Sequence, residues 1–295
     1  MTKCLDLLGI SAGNWERDRA AGISWGCGKS LFTFDETETE SQWVRTAQKT
    51  GIPDVVRFAE EWLGFKPDAA QKKLLLSKAK RLILNCTRQW GKSTVAALMA
   101  VHRAYFYPGS LVIVASPTER QSAEFLLKAR GFMQLLKIPV RGDGHHRSSL
   151  RFPNGSRIIG LPGTEATIRG YSKVSLMIID EAARVGDEMY KALRPSLAVE
   201  GGDLWLLSTP NGKRGFFYEN WVNGGDEWER IAVTATECLR IPESFLEEER
   251  RQLGDRWFRQ EYLCEFGDDD TRMFPRELVR AALDDLEPMV FARRR

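Results

Sequence analysis

The sequence predicts an α/β protein: a mostly parallel sheet with helices on both faces and a small lid towards the C-terminus. Three observations carry this. Short apolar runs starting at Arg81, Leu111, Val174 and Leu204 have the length and density of strands buried on both sides. Helical patterns alternate with them, as in a two-sided parallel sheet. Gly91-Lys-Ser-Thr94 directly follows the first run and opens a helix, which is how a phosphate-binding loop is built.

In such a loop, backbone N–H groups and a helix N-terminus cradle a triphosphate. Thr87, Arg88, Gln89, Trp90, Gly91, Lys92, Ser93 and Thr94 are therefore the expected nucleotide-binding residues. Lys92 would reach the β- and γ-phosphates, and the Ser93 hydroxyl would ligate Mg²⁺. Cys86 stands where the usual pattern has its first glycine, so the loop by itself is an incomplete match. The apolar run Val174–Asp180, followed by Glu181, supplies what the loop lacks. Asp180 would hold Mg²⁺ through water, and Glu181, pointing the other way, would polarise the attacking water. The bland alternative is a core strand followed by solvated acids. Both motifs in one chain favour an NTPase that uses Mg²⁺.

The 295 residues suffice for a full α/β core, and 43% hydrophobic with 28% charged residues is ordinary for a globular chain. No apolar run is long enough for a transmembrane helix, and no signal-peptide pattern is read at the N-terminus, so no membrane partner is expected. Five scattered cysteines without a C-x-x-C suit a reducing cytoplasm and offer no zinc knuckle. A net charge of +3 says little about nucleic acid, which would have to be read from local patches.

Taken in order, residues 1–50 are poor in pattern and read as an arm or appendage. Their Trp25-Gly-Cys-Gly-Lys-Ser30 imitates the end of a phosphate loop, but no strand precedes it and an acidic run follows. Helices are expected from Asp54 and from about Pro67, where Pro67 and Asp68 are start signals. Gln71 is either a donor to an adenine edge or a surface glutamine. The loop's helix runs over Thr94–Phe106, a second strand over Leu111–Ala115, and a long helix reaches about Leu136. Pro153-Asn-Gly-Ser156 joins Ser149–Phe152 to Arg157–Leu161 as a hairpin. A loop with Arg169-Gly170 precedes the Asp-Glu strand. The strand Leu204–Ser208 ends in Thr209-Pro-Asn-Gly212. An aromatic helix (Gly215–Trp221), a strand (Glu229–Thr234) and helices over Pro242–Leu253 and Asp255–Cys264 complete the pattern, with the lid placed at about 213–266.

These motifs together resemble the large terminase subunits of tailed bacteriophages, the ATP-driven motors that package double-stranded DNA. The resemblance covers about Gly51 to Phe274. That family's phosphate loop tolerates Ala, Cys or Ser at the first glycine, and Cys86-Thr-Arg-Gln-Trp-Gly-Lys-Ser93 fits its variant. Asn154-Gly-Ser156, Arg169-Gly170 and Asp180-Glu181 follow in the family's order, and Ser208, Thr209 and Asn211 match its coupling motif. The resemblance implies an ASCE-type, RecA-like P-loop fold, with ATP as its nucleotide and with double-stranded DNA, a portal protein and a small terminase subunit as partners. It also implies a homo-oligomeric ring when assembled, a monomer being compatible with isolation, and action in the bacterial host cytoplasm and at the procapsid portal. Such subunits continue into a nuclease domain, and this chain stops at Arg295, about where that domain would begin. Residues 267–295 are thus expected to be a linker, and no cutting is expected.

The catalytic candidates are Glu181, Lys92, Arg88 and Arg169. Arg88 either contacts the γ-phosphate or forms a salt bridge behind the loop. Arg169, by family analogy, is either a finger donated to a neighbouring subunit or an ordinary surface arginine. Thr209 and Asn211 either sense the γ-phosphate or merely make a turn. His145-His146 beside Asp143 reads as a solvated loop rather than a metal site, and with Arg141, Arg147 and Arg151 would touch DNA phosphates. The cluster of Phe216, Phe217, Tyr218 and Trp221 reads as core. Competing functions are a superfamily 2-like helicase or other nucleic-acid remodelling ATPase, and an inactive prophage remnant that scaffolds an assembly.

Overall fold

The computed structural model describes residues 51–146, 148–162, 170–238 and 240–267, with the single position 282. Arg147, Arg169, the first fifty residues and the C-terminal segment, including Asp268–Asp270, lie outside the described residues.

Each strand forms where an apolar run cannot satisfy both faces locally. In order come α1 (Val55–Trp62), α2 (Ala69–Leu76), β1 (Arg81–Cys86), α3 (Lys92–Phe106), β2 (Leu111–Ser116) and α4 (Glu119–Leu135). The hairpin β3 (Ser149–Arg151) and β4 (Arg157–Pro162) follows, then β5 (Val174–Asp180), α5 (Asp187–Leu193), β6 (Asp203–Ser208), α6 (Gly215–Asn223) and β7 (Trp228–Val233). Helices α7 (Glu243–Leu253) and α8 (Asp255–Tyr262) close the described chain. Side chains of Asp54, Asp68 and Thr118 cap α1, α2 and α4 by accepting from backbone N–H groups, and of these Asp68 is the start signal read from sequence.

The seven strands lie in the order β3-β4-β2-β5-β6-β1-β7, all parallel except the β3–β4 hairpin. Alternate residues point to opposite faces. Leu82, Leu84, Val112, Val114, Leu176 and Ile178 pack under α1–α4, and Ile83, Ile113, Met177, Ile179 and Leu206 pack under α5 and α6. The C-terminal ends of β1, β5 and β6 converge, with Asn85 opposite Ser208 and Asp180 opposite Leu207.

Two features differ from the sequence reading. The lid does not begin near residue 213: α6 packs on the sheet, and β7 pairs with β1 from Arg81–Trp228 to Cys86–Val233. What lies apart is the stretch from Ala235, whose own small core joins Ala235, Phe258 and Tyr262. The apolar residues of β7 had to be buried against β1, so the strand belongs to the main sheet. Helix α5 and the 3₁₀ turn Arg194–Leu197 were not anticipated, because about two turns followed by Pro195 carry too little periodicity to read. The aromatic helix is core as expected, with Phe216 stacked 4.1 Å from Tyr190 and Phe217 buried. Among the described residues no helix is long and apolar enough to cross a membrane.

Candidate active site

The cleft lies at the C-terminal end of the strands, where open parallel sheets place ligands. Arg88, Gln89, Gly91, Lys92, Ser93, Gln121, Lys128, Glu181 and Arg184 line a volume of about 380 Å³.

The loop turns between β1 and α3 by adopting left-handed backbone at Gln89 (φ 61°) and Gly91 (φ 92°), and Gly91 caps α3. Thr87 N–H donates to the Val233 carbonyl at 2.9 Å, anchoring the loop on β7. Thr94 is buried in the first turn of α3. The Trp90 indole is buried in the core, so the loop uses this residue through its carbonyl. That carbonyl accepts from Gln71 Nε2 at 3.2 Å and from Arg240 Nη2. Gln71 is 2% exposed and also completes the cap of α2 through Asp68, so it is not a surface residue.

Lys92 and Ser93 meet the two carboxylates at the end of β5. Ser93 Oγ donates to Asp180 Oδ2 at 2.8 Å, and Lys92 Nζ pairs with Glu181 Oε1 at 2.8 Å. The adjacent acids face different environments because Glu181 sits in left-handed backbone (φ 54°, ψ 42°), which a non-glycine residue adopts only at a cost of about 1–2 kcal/mol. Burial raises the Asp180 pKa more than Lys92 lowers it. Burial also pushes Glu181 up, but Lys92, Arg184 and Arg88 outweigh it and hold its carboxyl below the usual range. Burial would lower Lys92, yet its pKa is raised. Cys86 contributes no charge at neutral pH, since burial pushes its thiol up to about 12, so Glu181 and Asp180 do this. Two neighbouring carboxylates with opposite shifts is the pattern of divided acid–base roles.

The donor set fits Mg²⁺. A hydroxyl and a buried carboxylate offer hard oxygens, and magnesium uses one or two such protein ligands plus substrate phosphates. No group of three or more His, Cys, Asp or Glu able to hold a metal occurs among the described residues. Asp143 instead accepts from the backbone of both histidines and pairs with His146 Nδ1 at 2.6 Å.

Sequence reasoning missed Arg184, Glu261, Arg240 and Lys128. Arg184 donates to Glu181 at 3.2 Å, to Thr209 Oγ1 at 2.9 Å and to Glu261 at 3.2 Å. It thereby ties Thr209 to Glu181, while Asn211 donates to the Ala183 carbonyl at 3.2 Å. Among the described residues, none partners the buried Ser208 Oγ. Glu261, 3% exposed on α8, accepts from Arg88 at 2.5 Å, and its carbonyl accepts from Thr87 Oγ1 at 3.3 Å. Arg88 therefore makes the salt bridge that was its alternative reading, while still lining the cleft. Only the Arg three residues after Glu181 had a sequence signal, its position beside the Asp-Glu pair.

Residues 83–281 match the family described as terminase large subunit, T4likevirus-type, N-terminal. The chain is 27% identical over 251 residues to the large terminase subunit of Thermus phage G20c, covering 72% of this chain and 51% of that one. Against the large terminase subunit of Escherichia phage T5 it is 25% identical over 202 residues, covering 66% and 46%. It thus spans about half the length of the curated relatives it matches. Among solved structures it resembles the ATPase domain of the Thermus phage P74-26 large terminase, with a TM-score of 0.63 and 26% identity. That likeness covers 70% of this chain and 97% of that domain. The fold is the ASCE-type P-loop architecture that the sequence predicts.

Proposed function

The chain belongs to the terminase large subunit family, T4likevirus-type, matching its N-terminal part; from that premise we propose that it hydrolyses ATP to drive double-stranded DNA into a phage procapsid. The observation that carries this reading is the double pairing of Ser93 with Asp180 and of Lys92 with Glu181, across a phosphate-sized cleft.

The γ-phosphate competes with Glu181 for Lys92. Once Lys92 turns to phosphate, the Glu181 carboxylate is free to accept a proton from water. Ser93 and Asp180 would hold Mg²⁺, which would supply charge neutralisation to the phosphates. Thr87, Gln89, Gly91 and Thr94 shape the loop around the phosphates, and Gln71 braces Trp90 from the side where the base enters. Arg88 exchanges Glu261 for phosphate, and Arg184 reports the state of Glu181 to Thr209. Ser208, Thr209 and Asn211 pass that state on. Arg169 is offered as a finger to a neighbouring copy in a ring. DNA is gripped by its phosphates without regard to sequence, and the portal protein and the small terminase subunit are the other partners. The site of action is the bacterial host cytoplasm, at the procapsid portal.

The test is steady-state ATP hydrolysis over a wide range of protein concentration, with Glu181→Gln in parallel. Turnover that disappears in the variant supports the site, and turnover that rises faster than linearly supports a finger from a neighbour. Equal rates for the two proteins would sink the assignment of Glu181.

A further inference from the structure

Four cations line the cleft: Arg88, Lys92, Lys128 and Arg184. Three already have carboxylate partners, Lys92 with Glu181, Arg88 with Glu261, and Arg184 with both acids. Lys128 differs: among the described residues none places a carboxylate within 4.0 Å of its Nζ. It lies two turns after Gln121 on the same face of α4, and both side chains line the cleft. Its charge is felt by Asp180, Lys92, Glu124 and Glu181, which puts it on the carboxylate side of the phosphate loop. Gln71 and Arg240 instead donate to the Trp90 carbonyl of the phosphate loop.

A partly buried ammonium loses hydration, and without an anionic partner nothing returns that cost. The neighbouring Lys92 adds repulsion, and burial together with Lys92 lowers the Lys128 pKa. Such a group is stabilised when an anion arrives between it and Lys92. Resting on the ATPase reading above, we propose that Lys128 binds the terminal phosphate of a nucleoside triphosphate and so makes the site distinguish triphosphate from diphosphate. The terminal group is the one concerned because Lys128 lines the cleft with Glu181, beside which the attacking water must be. A diphosphate leaves Lys128 unpaired.

The experiment is titration of ADP and of ATPγS, each with Mg²⁺, into the wild-type chain, Lys128→Met and Lys128→Arg, by calorimetry, with a thermal melt of each. Losing one charge-assisted contact should weaken ATPγS binding by about ten- to hundredfold in Lys128→Met. ADP binding should stay within about twofold, and Lys128→Arg should recover most of the ATPγS affinity. Lys128→Met binding ATPγS like the wild type would overturn the proposal, as would equal losses for both nucleotides in a variant that melts normally. A wild-type chain that binds neither nucleotide overturns the ATPase reading, and this one with it.

Discussion

The two ends of α3 bury ionisable side chains in opposite ways. At its start, Lys92 keeps its charge because Glu181 lies 2.8 Å from its Nζ and Asp180 stands nearby. Near its end, His102 is packed 5.3 Å from the Phe58 ring and 4.8 Å from that of Phe106, and its Nε2 meets the Pro53 carbonyl at 2.9 Å. Burial there pushes its pKa down to about 4, so it is neutral at physiological pH. Both groups are well buried, so burial does not mark the site. What separates them is pairing beside a cleft: paired charge can be redirected to a ligand, whereas a neutral ring among aromatics only packs.

The largest test of that contrast is at the paired end. Glu181→Gln should lower ATP turnover by about 10²–10⁴-fold, measured as phosphate release, because a general base is lost while the packing stays. A fall of only about twofold would remove Glu181 from that role.

The neutral end predicts acid sensitivity instead. The folded value of His102 lies below its ordinary value of 6.5, so between 6.5 and about 4 the unfolded chain binds the extra proton. Its contribution to stability is therefore fully present above the ordinary value and is lost as pH falls through that window. The loss is about 3 kcal/mol, read as the change in urea midpoint between pH 7 and pH 4. His102→Gln should flatten the difference; a variant as acid-sensitive as the wild type would assign the effect to carboxylates.

Glu261→Gln asks whether pairing at the first end also holds α8 to the phosphate loop. The guanidinium of Arg88 is 56% exposed and Arg184 keeps Glu181, so the cost should be modest, about 1–3 kcal/mol in a denaturation curve. An unchanged midpoint would mean that the apolar contacts of Phe258 and Tyr262 suffice. The smallest effect on stability belongs to Asp180→Asn. The raised pKa of Asp180 means the folded chain binds the extra proton above its ordinary value, so stability falls as pH rises through that window. Removing the charge should leave the melting temperature at pH 7 equal or slightly higher, while turnover is lost. A clear drop in melting temperature would show that the Ser93 contact outweighs desolvation.

Much of this was legible in the chain itself. The strands at Leu111, Val174 and Leu204 were recognisable because burial on both faces demands an unbroken apolar run. The phosphate loop and the Asp-Glu pair were recognisable because their chemistry needs particular residues within a few positions. Glu261, Arg184 and Lys128 were not. A lone glutamate in Tyr262's preceding turn, or a lysine inside an amphipathic helix, has the same local pattern as a solvated surface residue.

Sequence alone therefore determined the elements that close locally: the cap at Asp68, the turn through Gly91, and Lys92, Ser93, Asp180 and Glu181 as reactive groups. Backbone geometry and short-range hydrogen bonds act over a few residues, so their rules can be read along the chain. Strand order decided the rest. Only when β5 and β6 line up beside β1, and β7 joins the other edge of β1, do Ser93 and Asp180 meet, and only then does α8 bring Glu261 to Arg88. That Lys92 meets Glu181 and Arg88 meets Glu261, while among the described residues no carboxylate reaches Lys128, follows from packing between distant parts of the chain, where no local pattern reaches.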